Sequence, residues 1–468
     1  MSIKRYLYSM KIINELIDIV GKENILYDGQ EKERFTHIWK TDLPLQALAV
    51  VFPTSTQEVA AILKCCSSHK QQVIVHGGLT NLVGATQTQK EQLVMAMDKM
   101  NKIEEIDEQT RTLTAQSGAI LETLIDAAAE KDLLLPLSFG AKGSAQIGGV
   151  VSTNAGGLRV FRYGMTRTNV LGVEAVLPDG TIISSLKKVI KDNSGYDLKQ
   201  LFIGAEGTLG IITKVILRLQ EAPTSRCSAL VGINDYEKVV RLLKFLEKNL
   251  GGLLTGYELM WQATYKAMTS APSELPPPID QNYTYYVFIE CLGSHAEQDY
   301  QRLEELISQA LENDLIMDGI LAQTERELKH IWQIREDVSV LAALAQFDQH
   351  FDISLPISIL GKEVDRAMQA LEKLPFVECV FPFGHIADGN IHFIVGKSNN
   401  TPETKQAIND IIYQNLAQYN GSVSAEHGIG LDKKAYLNTT RSAEEMALMK
   451  RIKQTIDPQN ILNPGRII

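Results

Sequence analysis

The chain has 468 residues, which is enough for about three domains of roughly 150 residues each. Hydrophobic residues make up 44% of it, so it can bury enough apolar surface to fold, and this composition disfavours intrinsic disorder. The net charge of -10 disfavours a nucleic-acid binder, and no apolar run approaches the ~18–20 residues that cross a bilayer.

Five cysteines are too few for a disulfide scaffold, and because none form a C-x-x-C pair they give no sign of a zinc ribbon or an iron–sulfur cluster. The N-terminus lacks the apolar core and the cleavage site of a secretion signal, and Met10 is an alternative start to Met1. Scattered thiols fit a reducing compartment. We therefore expect a cytoplasmic protein.

In chain order, the first half alternates helix, turn and strand signals. The patterns predict a helix over 10–26 that ends at Gly21, a buried strand over 45–52, a helix from about 54 to 64 and a strand over 72–76. Glycine is concentrated in this half, especially between residues 140 and 210.

The composition changes after Ala222-Pro223, where glycine-dense loops give way to longer helical patterns. Helices are predicted over 235–250 and 299–313, with a strand over 284–290 between them. We therefore expect a first domain over 1–222, an α+β domain over 223–410, and a C-terminal segment over 411–468 that returns to the first domain.

Three glycine-rich segments lie in the first domain, over 75–84, 143–157 and 204–210. None follows the G-x-G-x-x-G or the Walker A pattern, so neither an NAD-type Rossmann site nor a P-loop is supported. Any one segment alone could be a tight turn with positive φ. Three together indicate that the backbone approaches a ligand closely, and main-chain amides can hold a pyrophosphate without positive charge.

Five segments carry a family resemblance: Ile147-Gly148-Gly149, residues 153–157 (TNAGG), 162–164 (RYG), 191–198 (KDNSGYDL) and 206–213 (EGTLGIIT). With them the chain resembles the vanillyl-alcohol oxidase / p-cresol methylhydroxylase flavoproteins, and within these the D-2-hydroxy-acid dehydrogenase branch, which includes D-lactate and D-2-hydroxyglutarate dehydrogenases. The resemblance implies an α+β fold, with a two-part FAD-binding domain of the p-cresol methylhydroxylase type and an α+β cap domain with an antiparallel sheet.

The resemblance also implies which residues bind FAD: Gly77, Gly78, Leu79, Thr80, Asn81, Leu82, Gly84, Pro136, Gly143, Ser144, Gly148, Gly149, Ser152, Asn154, Gly157, Gly210 and Ile211. Two positions depart from the branch pattern Gly-Gly-Asn-Thr-Gly. Leu79 removes a side-chain amide, and Asn81 replaces a glycine, although asparagine tolerates positive φ. Leu79 also stands where relatives with covalently bound flavin carry histidine, so we expect non-covalent FAD.

Two histidines flank an Asp-Gly-Asn turn at 388–390, which could fold two strands back and bring His385 close to His392. Two imidazoles and a carboxylate suit a divalent cation with open positions. Either histidine alone could be a hydrogen-bonded structural residue. The resemblance implies that His385, His392 and Glu426 bind a metal, Zn²⁺ or Mn²⁺, and that His427 is the catalytic base.

The resemblance assigns the substrate carboxylate to Arg335, whose alternative role is a salt bridge on a helix surface. Ser339 and His350 match further substrate positions, but in the 2-hydroxyglutarate enzymes these are threonine and lysine. Ile394 replaces an asparagine. Losing these polar groups favours a smaller or less polar D-2-hydroxy acid.

We therefore expect an FAD-dependent, metal-assisted dehydrogenase that oxidises a D-2-hydroxy acid to the 2-oxo acid, with hydride transfer to flavin N5. The expected partners are the small-molecule 2-hydroxy acid and an electron acceptor protein or quinone-linked carrier, and a homodimer is compatible with the sequence. Two alternatives remain: an alkylglycerone-phosphate-synthase-like FAD transferase and a non-catalytic flavin electron-relay subunit.

Overall fold

The computed structural model describes residues 3–38 and 41–468, without the side chains of residues 3–9, 33 and 35–43. The chain forms two compact units. Unit 1 comprises Met1–Gly156, Gly164–Ala222 and Glu426–Ile468, and unit 2 comprises Gly157–Tyr163 and Pro223–Ala425. The predicted C-terminal segment 411–468 is thus divided, because residues 411–425 belong to unit 2.

Helices and strands are interspersed along the described chain. The α-helices are α1 (Ile3–Val20), α2 (Thr56–His69), α3 (Leu121–Ala129), α4 (Ile147–Thr153), α5 (Val160–Tyr163), α6 (Thr166–Asn169), α7 (Tyr236–Leu250), α8 (Gln262–Met268), α9 (Ala296–Glu312), α10 (Glu325–Glu336), α11 (Ser339–Ala343), α12 (Ile357–Leu371), α13 (Pro402–Tyr413), α14 (Leu437–Thr440) and α15 (Ala443–Ile456).

The strands are β1 (Ile25–Leu26), β2 (Phe35–Ile38), β3 (Thr41–Pro44), β4 (Ala49–Val51), β5 (Val73–His76), β6 (Leu93–Ala96), β7 (Ile103–Asp107), β8 (Thr112–Gln116), β9 (Leu133–Leu134), β10 (Val170–Val176), β11 (Ile182–Ser185), β12 (Ile211–Arg218), β13 (Gln220–Glu221), β14 (Ser225–Ile233), β15 (Leu254–Trp261), β16 (Tyr285–Gly293), β17 (Asp318–Leu321), β18 (Phe347–Ser354), β19 (Val377–His385) and β20 (Asn390–Lys397).

Unit 1 contains two main sheets. One has the order β1-β4-β6-β5, with parallel pairing between β4 and β6 and between β6 and β5. The other has the order β11-β10-β12-β8-β7 and is antiparallel throughout. Each sheet has its own buried cluster, built mainly from valine, isoleucine and leucine. This pair of sheets is the two-part architecture that the sequence predicts for the first domain.

Three predicted elements near the start of the chain have clearly different bounds in the structure. The helix predicted over 10–26 is α1, which covers Ile3–Val20 and so begins earlier and stops just before Gly21. The strand predicted over 45–52 is too long, since β4 covers only Ala49–Val51 and the amide of Leu45 donates to Arg34 O instead of joining the ladder. The helix predicted from about 54 to 64 starts at Thr56 and continues to His69. Ser55 is its N-cap and accepts a hydrogen bond from the amide of Glu58.

The end of the chain is part of unit 1. The buried pair Lys453–Asp457 holds it there: Lys453 Nζ lies 2.5 Å from Asp457 Oδ2 and donates to Thr208 O and Leu462 O. Asn463 donates to Glu206 O and accepts from the amide of Val75, so one side chain ties together two of the glycine-rich segments.

Unit 2 is built around one antiparallel sheet of seven strands, in the order β17-β14-β16-β15-β19-β20-β18. Side chains alternate between its two faces. Cross-strand pairing puts Glu258 opposite His385, His392 opposite Asp352, and Ile394 opposite His350. The pairs Met260–Phe383 and Phe383–His392 link these positions, so they all lie on one face of the sheet. Helices α8, α10 and α11 contribute to the hydrophobic cluster on this face.

The expected α+β fold class is confirmed, since both units combine helices with sheets, and the larger sheet of each unit is antiparallel. Among residues 3–38 and 41–468, no helix combines the length and the hydropathy that a bilayer span requires.

Candidate functional site

The first two glycine-rich segments approach each other closely in unit 1. A Cβ on Gly77 would lie 3.7 Å from the Gln146 side chain and 3.9 Å from Gly149 Cα. A Cβ on Gly149 would meet no described atom within 4 Å. Gly149 therefore faces open space beside two backbone segments, and that space can admit a ligand.

Other predicted cofactor glycines are needed for protein packing. A Cβ on Gly78 would lie 1.9 Å from Ser144 O, one on Gly148 would lie 2.6 Å from Ser117 Cβ, and one on Gly210 would lie 2.6 Å from the Phe202 ring. No positive φ explains these three glycines. Close approach of backbone segments is the reason, rather than the tight turn that each segment alone would suggest.

Buried polar atoms surround this region without a protein partner. His76 Nδ1, Ser117 Oγ and Gln146 Oε1 have no hydrogen-bond partner among the described residues. Such atoms are costly to bury unless something binds them. The Gly149 space and these three atoms fit a polar, extended cofactor such as FAD.

His76 contributes no positive charge to this region. Its Nε2 lies 2.9 Å from Thr86 O, which can only accept, so Nε2 carries the proton. Burial lowers the pKa of His76 to about 4, and the ring is neutral at pH 7. His76 would therefore offer a neutral ring, and no charge, to a bound pyrophosphate.

In the loop after Gly78, positive φ does not occur at Asn81. The left-handed residue is Leu79, with φ 57°. The Asn81 side chain organises the loop instead: Oδ1 accepts from the amides of Val83 and Ala85, and Nδ2 donates to Thr86 Oγ1. Asparagine is used here for its hydrogen bonds, an alternative to the flexibility of glycine.

The remaining predicted FAD positions have different surroundings. Asn154, with φ 51°, caps the end of α4 and accepts from the amide of Arg167. Ser152 O accepts from the amide of Glu206, and Ile211 is buried at the start of β12. Gly157 lies in unit 2, although the sequence placed it in the FAD-binding domain, because residues 157–163 pack with that unit's sheet, as in the ion pair of Arg159 with Glu290.

The remaining predicted cofactor residues, Thr80, Leu82, Gly84, Pro136, Gly143 and Ser144, all lie in unit 1. Gly84 has φ 68°, a conformation that favours glycine. A Cβ on Gly143 would lie 3.1 Å from Glu122 Oε2.

In unit 2, a buried carboxylate joins two of the predicted site residues. Glu258 on β15 is 1% exposed. Its Oε1 lies 2.6 Å from His385 Nδ1, and its Oε2 accepts from Arg335 Nε at 2.8 Å. Burial raises the pKa of Glu258, but the charges and hydrogen bonds of His385 and Arg335 outweigh burial, so its net pKa is lowered. Glu258 is not among the residues predicted from the sequence, although a charge inside the apolar run of 257–261 was a signal.

Arg335 is therefore not on a helix surface. It lies on α10, is 7% exposed, and points at the sheet. Its guanidinium carbon is 4.9 Å from the centre of the Phe383 ring, and that ring lies 5.3 Å from the ring of His392. The alternative of a solvent-exposed salt bridge is wrong, because the ion pair with Glu258 is buried.

The two predicted metal histidines come together at the hairpin between β19 and β20. Their ring centres are 5.3 Å apart and the rings are nearly perpendicular, at 87°. The predicted turn forms, with Gly389 at φ 79°. His392 Nδ1 lies 3.9 Å from Asp352 Oδ1, and that buried carboxylate also accepts from Asn390 Nδ2, Ser424 Oγ and the amide of Ala425.

The donor set fits a divalent metal. Imidazole nitrogen is a ligand for Zn²⁺ and Mn²⁺, and metal-bound histidines commonly donate their second ring nitrogen to a carboxylate. Glu258 stands beside His385 in that way, and Asp352 lies near His392.

Glu426 and His427 begin the last stretch of unit 1. Gly428 and Gly430 have φ values of 81° and 52°, which supplies the bend that the adjacent Glu–His pair requires. Glu206 Oε1 and Oε2 accept from the amides of Ile429 and Gly430, so the segment is held in place within its unit.

The other two predicted substrate residues, Ser339 and His350, each lie against a nearby aspartate. Ser339, at the start of α11, contacts Asp337. His350 Nε2 lies 3.2 Å from Asp348 Oδ2. His350 and Ile394 are direct cross-strand neighbours, so the two departures from the 2-hydroxyglutarate pattern fall at one place on the sheet.

Known protein families match the sequence in both units. The family described as "FAD linked oxidases, C-terminal domain" matches residues 222–467, and that described as "FAD binding domain" matches residues 47–185. D-2-hydroxyglutarate dehydrogenase of Arabidopsis thaliana is 34% identical over 98% of this chain and 81% of that protein. The enzyme of the same name from Stutzerimonas stutzeri is 33% identical over 97% and 98%. A Schizosaccharomyces pombe protein with a provisional D-lactate dehydrogenase name is 36% identical over 96% and 88%.

Solved structures show the same fold at low sequence identity. p-Cresol methylhydroxylase matches with a TM-score of 0.76 and 16% identity, over 98% of this chain and 96% of that one. An alkyldihydroxyacetonephosphate synthase matches with a TM-score of 0.75 and 17% identity, over 98% and 85%.

The fold and the family matches define an FAD-dependent oxidoreductase. The chain belongs to the FAD-linked oxidase family, together with the D-2-hydroxyglutarate dehydrogenases, and it has the fold of p-cresol methylhydroxylase. The resemblance predicted from the glycine motifs is confirmed.

Proposed function

We propose that the protein oxidises a D-2-hydroxy acid of the D-lactate or D-2-hydroxyglutarate class to the 2-oxo acid. One observation carries the proposal: His385, His392 and Arg335 meet at a single face of the unit 2 sheet, with His385 and Arg335 on the same carboxylate. Imidazoles that can bind a cation and a guanidinium that can bind a carboxylate are the groups that a 2-hydroxy acid requires.

When bound, FAD supplies the hydride acceptor and the metal supplies positive charge beside the substrate oxygens. The open space at Gly149 and the unpaired atoms of His76, Ser117 and Gln146 support the FAD site. Leu79 supports non-covalent binding, since its side chain cannot form a bond to the flavin.

His385 and His392 are the proposed metal ligands in unit 2, and Arg335 is the proposed carboxylate ligand. Glu426 as third ligand and His427 as base stay predictions from their sequence motif. A neutral imidazole can take the hydroxyl proton at physiological pH as the hydride leaves C2.

Ile394 and its neighbour His350 favour a substrate without a second carboxylate, because Ile394 is 2% exposed and offers no hydrogen bond. D-lactate is the simplest such acid. The proposed acceptor is an electron-transfer protein or a quinone-linked carrier, and a cytoplasmic location stays a prediction.

Anaerobic mixing of the purified holoprotein with D- and L-2-hydroxy acids tests the reaction. We expect the flavin absorbance to bleach with D-acids and not with L-acids. Bleaching by no member of the panel would overturn the proposal. Chelation should slow bleaching, and His427→Asn should slow it by about 10²-fold or more. Full-rate bleaching after verified metal removal would refute metal assistance.

One relative suggests a second acceptor class. The Saccharomyces cerevisiae protein named D-2-hydroxyglutarate–pyruvate transhydrogenase is 33% identical over 96% of this chain and 92% of that protein. A 2-oxo acid could then reoxidise the flavin. Because pyruvate is also the product of D-lactate oxidation, the test would use steady-state turnover of D-2-hydroxyglutarate, and formation of D-lactate at the expense of added pyruvate would support this acceptor over an electron carrier.

A further inference from the structure

We propose that Glu258 is a positioning residue: one carboxylate oxygen orients His385 for metal binding, and the other orients Arg335 for the substrate carboxylate. This inference rests on the proposed function, because it concerns the same metal and substrate groups. Glu258 itself need touch neither ligand.

The two oxygens of Glu258 have different partners. Oε1 lies 2.6 Å from His385 Nδ1, whereas Oε2 accepts from Arg335 Nε at 2.8 Å and lies 2.5 Å from Arg335 Nη2. Glu258 and His385 are also direct partners across β15 and β19. The sheet register therefore fixes the distance between carboxylate and imidazole, and no loop can vary it.

The contact with His385 decides which ring nitrogen can bind a metal. An ionised carboxylate only accepts hydrogen bonds, so Nδ1 carries the proton and donates it to Oε1. Nε2 then presents its lone pair, which is the form that a divalent cation binds. Without the carboxylate, the imidazole could adopt the other tautomer or rotate.

The contact with Arg335 fixes the direction of the guanidinium. Arg335 Nε and Nη2 both face Glu258 Oε2, and the guanidinium carbon lies 4.9 Å from the centre of the Phe383 ring. The Nη1 side is the part left for a substrate carboxylate. Because guanidinium and carboxylate are both planar, this arrangement sets the angle of approach as well as the position.

A second buried glutamate on the same sheet provides the comparison. Glu290 on β16 is 0% exposed, and it is satisfied by Arg159, Arg226 and Thr255. None of these partners is a proposed metal or substrate residue. Glu290 therefore shows what a buried carboxylate does for folding alone, whereas both strong partners of Glu258 belong to the proposed site.

The matched variants Glu258→Gln and Glu290→Gln test the inference. Each keeps the side-chain volume and removes one buried charge. Zn²⁺ and Mn²⁺ affinity of the FAD-loaded protein would be measured by competition with a chromophoric chelator, together with FAD content, melting temperature, and KM and kcat for D-lactate. We expect Glu258→Gln to weaken metal affinity about 10–100-fold and to raise KM, with Glu290→Gln close to wild type in both.

The outcomes separate this inference from the proposed function. Equal metal affinity in the two variants overturns the role of Glu258 while the dehydrogenase proposal stands. If wild type binds metal but no D-2-hydroxy acid reduces its flavin, the proposed reaction fails, and a selective loss of metal affinity in Glu258→Gln still supports the positioning of His385. If wild type binds neither Zn²⁺ nor Mn²⁺, the positioning of His385 and the metal assistance are both overturned, and flavin bleaching by D-2-hydroxy acids decides the proposed reaction by itself.

Discussion

Replacing either of two neighbouring glycines in α4 by alanine should have opposite effects on the stability of the FAD-free protein. Gly149→Ala adds a methyl group that meets no described atom within 4 Å. Alanine in a helix is favoured over glycine by up to about 1 kcal/mol, so the FAD-free protein should be unchanged or slightly more stable. FAD affinity should fall at least about tenfold, or 1.4 kcal/mol, because the methyl group occupies the space proposed for the cofactor.

Gly148→Ala is the matched control. Its Cβ would lie 2.6 Å from Ser117 Cβ, about 1 Å closer than an ordinary carbon–carbon contact. Such overpacking costs about 1–3 kcal/mol, so this variant should lower the melting temperature of the FAD-free protein.

The assay is fluorescence titration of FAD-free protein with FAD, with a thermal melt of each variant beforehand. Wild-type FAD affinity in Gly149→Ala would refute the placement of FAD beside this glycine. A loss of stability in Gly149→Ala as large as that in Gly148→Ala would refute the distinction between open and packed glycines.

Three further predictions concern stability, pH and specificity. Lys453→Met should lower the free energy of unfolding by about 3 kcal/mol, because it leaves the buried Asp457 carboxylate without its cation. Urea denaturation measures this free energy, and a change under about 0.5 kcal/mol would contradict the prediction. Since the pKa of His76 is lowered to about 4, the unfolded chain gains a proton near pH 6.5 before the folded chain does, so this group costs about 3 kcal/mol of stability as pH falls from 6.5 to 4. His76→Gln should reduce that acid slope, and parallel pH curves would argue against it. In the double variant His350→Lys with Ile394→Asn, the ratio of kcat/KM for D-2-hydroxyglutarate to kcat/KM for D-lactate should rise at least about tenfold. An unchanged ratio in steady-state assays would count against a role of this pair in substrate choice.

The five sequence motifs were sufficient to predict the FAD-binding fold through their resemblance to a known family, and their glycines allow chain segments to approach each other closely. The structure shows this at Gly78 and Gly148, where a side chain would collide. The Asp-Gly-Asn turn likewise predicted the hairpin that brings His385 and His392 together. For the turn, the signal and its consequence lie within a few residues, whereas Gly78 and Gly148 meet Ser144 and Ser117, which are distant in sequence.

Local patterns failed where neighbours distant in sequence decide the outcome. The apolar run over 45–52 suggested one strand, but only Ala49–Val51 has a partner in the sheet. Asn81 suggested positive φ, whereas its side chain found three hydrogen bonds and the left-handed residue is Leu79. Intrinsic preference is a weak guide when tertiary contacts compete with it.

From the sequence by itself, the resemblance of five motifs to a flavoprotein family predicted the fold class and the FAD-binding domain, and the Asp-Gly-Asn turn predicted that His385 and His392 come together, because turn chemistry is local. Only the tertiary structure decided how Arg335 and His385 are held. Both bind Glu258, which is 77 residues from the first and 127 from the second. A buried charge must find opposite charge or hydrogen bonds wherever the sheet places it, and no spacing along the chain records which strands become neighbours.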